Sequence, residues 1–347
     1  MKKRLVEIDL IRGITIFLVV AAHTDMPSFI NEVLKTFRMP LFFIVSGYLF
    51  STSKYLSNFK GLFKLRMQSL LVPYFSACVL SYFVWIGIRS IKNSNEDFIW
   101  YKPILGFFYG NGSSLLNQPI WFLVCLFCCQ LVFCLVLKHL LKYNIFIQVV
   151  AFMLIGVVGF LISKILHLPW GLDIALVSQI FLLVGNKLKE YRVLERMKFF
   201  DYYTIILVAI FVISFYINKH VDMNDRDYGN LFFFYLGGFS GSLLIFKLTK
   251  LLSRFQLIVK LFSYFGRESL TILIFHAGIG FVIITGINDF LLSFLKFNWV
   301  VYIVGGISIS LVIGWLIKKF SILNFLFNGK SLNNKRKSKS TNIKSIA

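Results

Sequence analysis

Charge is what this chain is short of. Charged residues fill 15% of its 347 positions, where an average soluble domain carries about 25%. Acids are scarcer than bases, 15 Asp and Glu against 37 Lys and Arg. Apolar residues make up 58%, with 40 Phe, which excludes a soluble globular domain and points to an integral membrane protein. Other absences exclude particular chemistries. Without a GxGxxG or GxxxxGK loop, neither a dinucleotide fold nor a nucleotide triphosphatase is indicated. Without HExxH or a compact Cys/His cluster, no metal is expected. The five cysteines, Cys78, Cys125, Cys128, Cys129 and Cys134, lie in apolar runs. The CxxC of Cys125 and Cys128 has no second pair at ligand spacing, so packing is the expectation for all five. The net charge of +22 invites a nucleic-acid reading. That reading fails because the basic residues fall in short blocks between apolar spans, with no nucleic-acid motif.

What is present is a series of apolar runs. Ten reach a length near that needed to cross about 30 Å of hydrocarbon: 9–27, 34–51, 68–88, 119–137, 144–163, 171–187, 202–218, 229–247, 267–285 and 299–317. The expected fold is therefore all-α and polytopic, about ten helices around a polar cavity. The opening MKKR leads into no cleavage pattern, so the first span is read as retained. With the N-terminus in the cytoplasm, 27 of the 37 basic residues fall inside and 9 outside, with Arg12 within a span. That bias sets both termini inside. Residues 1–326 read as one membrane domain and 327–347 as a basic, disordered cytoplasmic tail suited to anionic lipid. The segment from Ser90 to Pro119, with Trp100, Tyr101, Tyr109 and a turn-like YGNGSS, reads as a linker or as a lid over a sugar. Nothing in the sequence sets the oligomeric state.

Ionisable groups inside spans are expensive and mark function by default. Asp9, Arg12 and His23 stand in the first span. Arg12 and His23 are eleven residues apart, about 16 Å of helix and three turns, so they share a face near opposite ends. His23 is available as a general base, or is an interfacial histidine bonded to a neighbouring helix. Asp25 is a poor partner for it on a continuous helix and approaches only if the helix breaks before Pro27. Asp9 and Arg12 share a face three apart and make either an ion pair or an anchor for an anion. Arg66 supports the anchor, since arginine binds phosphate in a planar fork. Ser46, after Met39-Pro40, is a cavity hydrogen-bond donor. Trp121 suits an aromatic belt, and Asp173 follows Trp170 at a span start. His276, well inside the ninth span, needs a buried partner.

Taken together these residues resemble the bacterial membrane acyltransferase 3 family, in its fucose 4-O-acetylase-like and surface-polysaccharide O-acyltransferase branch. The likeness runs from about Glu7 to Phe320. It is carried by Arg12-x10-His23 with Asp9 and Gly13, by FRMPLFFIVSGYLF with Phe37, Met39, Pro40, Ser46 and Gly47, and by RMQSLLVPY with Arg66, Pro73 and Tyr74. WFL at Trp121, the pair Trp170 and Asp173, and GRESLTILIFH ending at His276 add to it. The resemblance implies a bacterial cell-membrane enzyme. It would move an acyl group, acetyl before succinyl, from cytoplasmic acyl-CoA to a hydroxyl of an extracytoplasmic or lipid-linked polysaccharide sugar. It implies His23 as the catalytic histidine, helped by Arg12, Asp9 and His276, and Arg12, Arg66, Tyr74 and Ser46 as the donor-binding set. Glu268 stands where many relatives have asparagine. A polytopic glycan exporter or flippase without acyl transfer is the alternative.

Overall fold

Residues 3–92, 99–291 and 298–330 are described by a computed structural model. Most of the basic tail expected at 327–347 lies outside them. Apolar runs of this length have one way to satisfy their backbone in lipid, the helix. Among the described residues regular structure is helical, apart from a single bridge between Asp222 and Asp227. The helices used below are α1 Lys3–Ala21, α2 Ser28–Leu49, α3 Phe59–Ser90, α4 Lys102–Tyr109, α5 Trp121–Leu140, α6 Ile145–Ile165, α7 Leu172–Val177, α8 Gln179–Glu190, α9 Tyr202–Ile217, α10 Leu231–Leu252, α11 Gln256–Arg267, α12 Ser269–Phe290, α13 Trp299–Lys319 and α14 Ser321–Asn328.

Six of them, α3, α5, α6, α10, α12 and α13, are long and apolar enough to cross a membrane, and α7 with α8, bent by 58°, would make a seventh. The other runs in the expected set of ten differ for physical reasons. Helix α9 has 16 residues. Helix α1 carries Glu7, Asp9 and Arg12, and α2 carries Glu32, Lys35 and Arg38, more charge than a lone helix carries in lipid. These two helices are instead clasped by others.

The clasp uses glycine. Helix α1 lies along α11, where a Cβ on Gly13 would collide with the Phe262 carbonyl and one on Gly266 with the Asp9 carbonyl. Helix α2 crosses α8 in the same reciprocal way, Gly47 against the Leu182 backbone and Gly185 against that of Ile44. In lipid, helices gain little from hydrophobic exclusion, so close backbone packing at small residues does the joining. Around these crossings sits the core, with Ile11, Ile16, Leu41, Phe43 and Ile44 in α1 and α2 all essentially inaccessible. Helix α2 also packs on α10, and α14 closes one end of the bundle against α3 and α13.

The helix bounds depart from the sequence reading at one informative place. The first and second spans were expected at 9–27 and 34–51, but α1 stops at Ala21 and α2 starts at Ser28, right after Pro27. The end of α1 tightens into a turn in which the His23 amide donates to Val20 O at 3.1 Å and the Thr24 hydroxyl to Ala21 O at 2.6 Å. Lys35 and Arg38 therefore lie well inside α2 rather than at the start of a span.

The glycine clasp makes a contrast that thermal or denaturant unfolding in detergent can read. Gly266→Val should destabilise by about 2 kcal/mol or more, the usual cost of forcing atoms into a packed contact. Gly87→Ala, where a Cβ would meet nothing within 4 Å, should be neutral or slightly stabilising. Equal effects from the two would rule out the clasp as a constraint.

Candidate active site

Two cavities lie one behind the other along α1 and α2. The first, about 220 Å3, is lined by His23 with Val19 and Ala22, by Asn31, Lys35, Arg38 and Phe42 of α2, and by Gln118, Trp121 and Phe122. Asp222, Asn224 and Asp225 reach it from the loop between α9 and α10, and Leu273 from α12. Because α1 has ended before it, His23 is not on a helix face. Its ring folds back so that Nδ1 donates to Val19 O at 2.7 Å. A carbonyl only accepts, so this contact places the proton on Nδ1 and leaves the Nε2 lone pair for the cavity, into which the residue is exposed.

His276 lies behind it. The two imidazoles meet edge to face with centroids 5.3 Å apart. His276 is completely buried, its Nδ1 donates to Ile272 O at 2.8 Å, and its Nε2 is buried without a partner. Its carbonyl partner assigns it the same tautomer as His23. The backbone of α12 widens to a π-helical turn over His276–Phe281, a distortion that often accompanies functional positions.

The second cavity, about 320 Å3, is lined by Arg12, Ser46, Arg66, Ser69, Gln130, Ser269 and Asn328 among apolar neighbours. Arg12 Nη2 donates to Ser269 Oγ at 2.8 Å, while Asp9 stands off at 3.8 Å from Nη1. Arg66 Nε, Ser69 Oγ and Gln130 Oε1 are buried with no hydrogen-bond partner. Among the described residues two cations and no acid line this space. Such a cavity favours an anion with several acceptor oxygens.

Phe42, Phe122 and Leu273 line both cavities. The Phe42 and Phe122 rings lie 5.1 Å apart. One thin apolar wall thus separates the arginine cavity from the histidine cavity.

The sequence-predicted residues divide accordingly. Arg12, Arg66 and Ser46 meet in one cavity, with Asp9 beside Arg12. His23 and His276 meet at the other. Tyr74 joins neither. It is fully buried and its hydroxyl donates to Phe107 O at 2.7 Å, a tie between α3 and α4. Trp121 is a cavity wall, only 6% exposed, rather than a belt residue. Asp25 lies exposed in the link after α1. Glu268 is engaged by Lys318. The cysteines are free, four of them buried, and among the described residues no group of three or more His, Cys, Asp or Glu comes together.

Asp173, read only as a span start, is a structural centre. It is fully buried and accepts from Arg226 Nε at 2.8 Å, while Arg226 Nη2 donates to Asn111 Oδ1 at 2.8 Å and Nη1 to Asn224 O at 2.7 Å. This pins the 222–227 loop, whose Asp222, Asn224 and Asp225 wall the histidine cavity. Sequence reasoning missed Arg38, Lys35, Asp222, Ser269 and Gln130. A signal existed for the first two: Asn31, Lys35, Arg38 and Phe42 recur at helical spacing once the helix is started at Pro27.

The fold is that of a helical membrane protein with a cation-lined cavity and a histidine-lined cavity back to back. Residues 5–319 match the model of the acyltransferase 3 family, described as an acyltransferase domain, and the chain belongs to that family. It is a membrane acyltransferase, and the match is consistent with an acyl-CoA donor and, at a general level, a glycan or lipid acceptor. Searches of curated proteins and of solved structures returned no match.

Removing one partner of a buried ion pair leaves a charge stranded. Asp173→Ala alone should therefore destabilise by about 3–5 kcal/mol, and Asp173→Ala with Arg226→Met by clearly less than the sum of the singles. A double-mutant cycle on unfolding free energy checks this. Additive losses would separate the two residues.

Proposed function

We propose that the protein transfers a short acyl group, acetyl above others, from cytoplasmic acyl-CoA to a hydroxyl of an extracytoplasmic or lipid-linked polysaccharide sugar. The observation that carries this reading is the pair of cavities with a common wall. The donor fits the Arg12 and Arg66 side, where cations and open hydrogen-bonding groups face an anionic, oxygen-rich molecule. The acceptor fits the His23 side, where Asn31, Gln118, Trp121 and Asn224 offer the amides and aromatic face that hold sugars. The basic bias of the sequence puts the Arg12 end in the cytoplasm. With it come ten crossings, two cytoplasmic termini, a catalytic unit over 1–326 and a basic tail over 327–347.

In this reading the coenzyme's phosphates stay with Arg12 and Arg66, and the pantetheine arm carries the thioester past Phe42 and Phe122. His23 Nε2 takes the proton of the sugar hydroxyl as that oxygen attacks the thioester carbon. The tetrahedral intermediate collapses by breaking the carbon–sulfur bond. Nε2–H returns the proton to the departing sulfur, and the ester and free coenzyme A result. Val19 O holds the imidazole in the basic tautomer throughout. His276 packs against the ring and limits its rotation. Ser269 fixes Arg12, and Ser46 lies along the arm. A small acyl group passes most easily between the Phe42 and Phe122 rings, and no spare cation stands in the arginine cavity for a second carboxylate.

Proteoliposomes given labelled acetyl-CoA and the glycans of the source cell test the reaction. Wild type should label glycan, and folded His23→Ala should lose at least 100-fold in transfer. Equal transfer by that variant would remove His23 as the base, and transport of unmodified glycan with no label would favour the exporter.

The wall makes a separate expectation. Phe122→Ala should raise the rate ratio of butyryl-CoA to acetyl-CoA at least tenfold, the scale of pocket discrimination by added methylenes. An unchanged ratio would show that acyl size is read elsewhere.

A further inference from the structure

Arg38 is a half-buried cation at the histidine cavity that the mechanism above leaves unused. Its Nε and Nη1 are shielded from solvent and make no hydrogen bond, yet it lines the histidine cavity. Arg226 nearby shows how this fold treats a structural arginine, with Nε, Nη1 and Nη2 all donating to protein oxygens. Both acids of the same lining have other donors. Asp222 Oδ2 is 2.8 Å from Lys35 Nζ and Oδ1 accepts from the Asn224 amide at 3.0 Å. Asp225 Oδ1 accepts from Asn224 Nδ2 at 2.9 Å. Buried guanidinium donors without an acceptor are costly, and such a group marks a place where negative charge arrives.

Two kinds of negative charge are possible at this site. A permanently anionic acceptor would face Asp222 and Asp225 in the same lining, which disfavours it. A transient oxyanion, small and held between Arg38 and His23, does not meet that objection. Arg38 and His23 line one cavity of about 220 Å3, so both face whatever reacts there. Arg38 stands on α2, whose backbone is held against α8 at the Gly47 and Gly185 crossing.

We propose that Arg38 is a catalytic residue that donates from Nε and Nη1 to the acyl carbonyl oxygen as it becomes an oxyanion. The inference rests on the acyl-transfer reading. The sugar oxygen bonds to the carbonyl carbon and the carbonyl π pair moves onto oxygen, where Arg38 receives it. The pair returns as the carbon–sulfur bond breaks, and the sulfur leaves with the proton held at His23. Preorganised donors act here because they are already aimed when charge appears, and the planar guanidinium keeps its charge throughout.

The test uses the full chain in proteoliposomes, with acetyl-CoA as donor and the source cell's lipid-linked saccharide extract as acceptor, read by thiol release and label on saccharide. Arg38→Gln should lower kcat about 100-fold or more and leave the KM for acetyl-CoA within about twofold, because donor binding sits across the wall. Arg38→Lys should keep part of the rate. Arg38→Ala should be rescued by added methylguanidinium and not by methylammonium, a response a purely structural role would not give. Arg38→Gln with near wild-type kcat, a loss confined to saccharide KM, or no rescue of Arg38→Ala would each overturn the role. Absence of any thiol release by wild type would instead remove the acyl-transfer reading.

Discussion

Two backbone-on-backbone contacts hold the functional parts in register. Gly13 and Gly266 bring α1 onto α11, and Gly47 and Gly185 bring α2 onto α8. All four positions lack the atom that would keep the helices apart, and in a lipid solvent that proximity is the main source of helix association. Arg12 stands one residue before the first contact and Ser46 one before the second. The helices that carry the polar groups of the cavities are thus placed by packing, and hydrogen bonds such as Arg12 to Ser269 then fix the side chains.

The same economy appears in the histidines. Neither leans on a carboxylate. Each gives its Nδ1 proton to the carbonyl four residues earlier, Val19 for His23 and Ile272 for His276. A backbone carbonyl settles the tautomer as a carboxylate would, without adding a second charge at membrane depth. The few acids at that end are employed elsewhere, Asp173 on Arg226 and Asp222 on Lys35.

The chain announced its helices and its main polar residues because both follow from local rules. Long apolar runs leave the backbone no choice but helix, and a charge among them stands out. Arg12, His23, Arg66 and Ser46 were found that way. Tyr74 was drawn in by its motif, and only the fold reveals that its hydroxyl ties α3 to α4. His276 was suspected as a buried imidazole, but its contact with His23 joins residues more than 250 positions apart and has no local trace. Arg38 was lost to a boundary error. Starting the span six residues late put it beside an apparent helix end, whereas Pro27 and the spacing of Asn31, Lys35, Arg38 and Phe42 mark it as part of a helix face. The Asp173–Arg226 pair was hidden for the same reason as the histidine pair, since its members meet only when the bundle closes.

The wall of Phe42, Phe122 and Leu273 also bears on the cell's energy supply. A membrane enzyme with polar cavities entering from two sides risks becoming a proton leak, because a continuous file of water conducts. Two phenyl rings and one isobutyl group interrupt that file. An acyl arm threading between the rings would fill the gap it opens, so the barrier to ions would persist even during turnover. If the two cavities open to opposite faces as proposed, the apolar septum would let group transfer run across a bilayer without draining its electrochemical gradient.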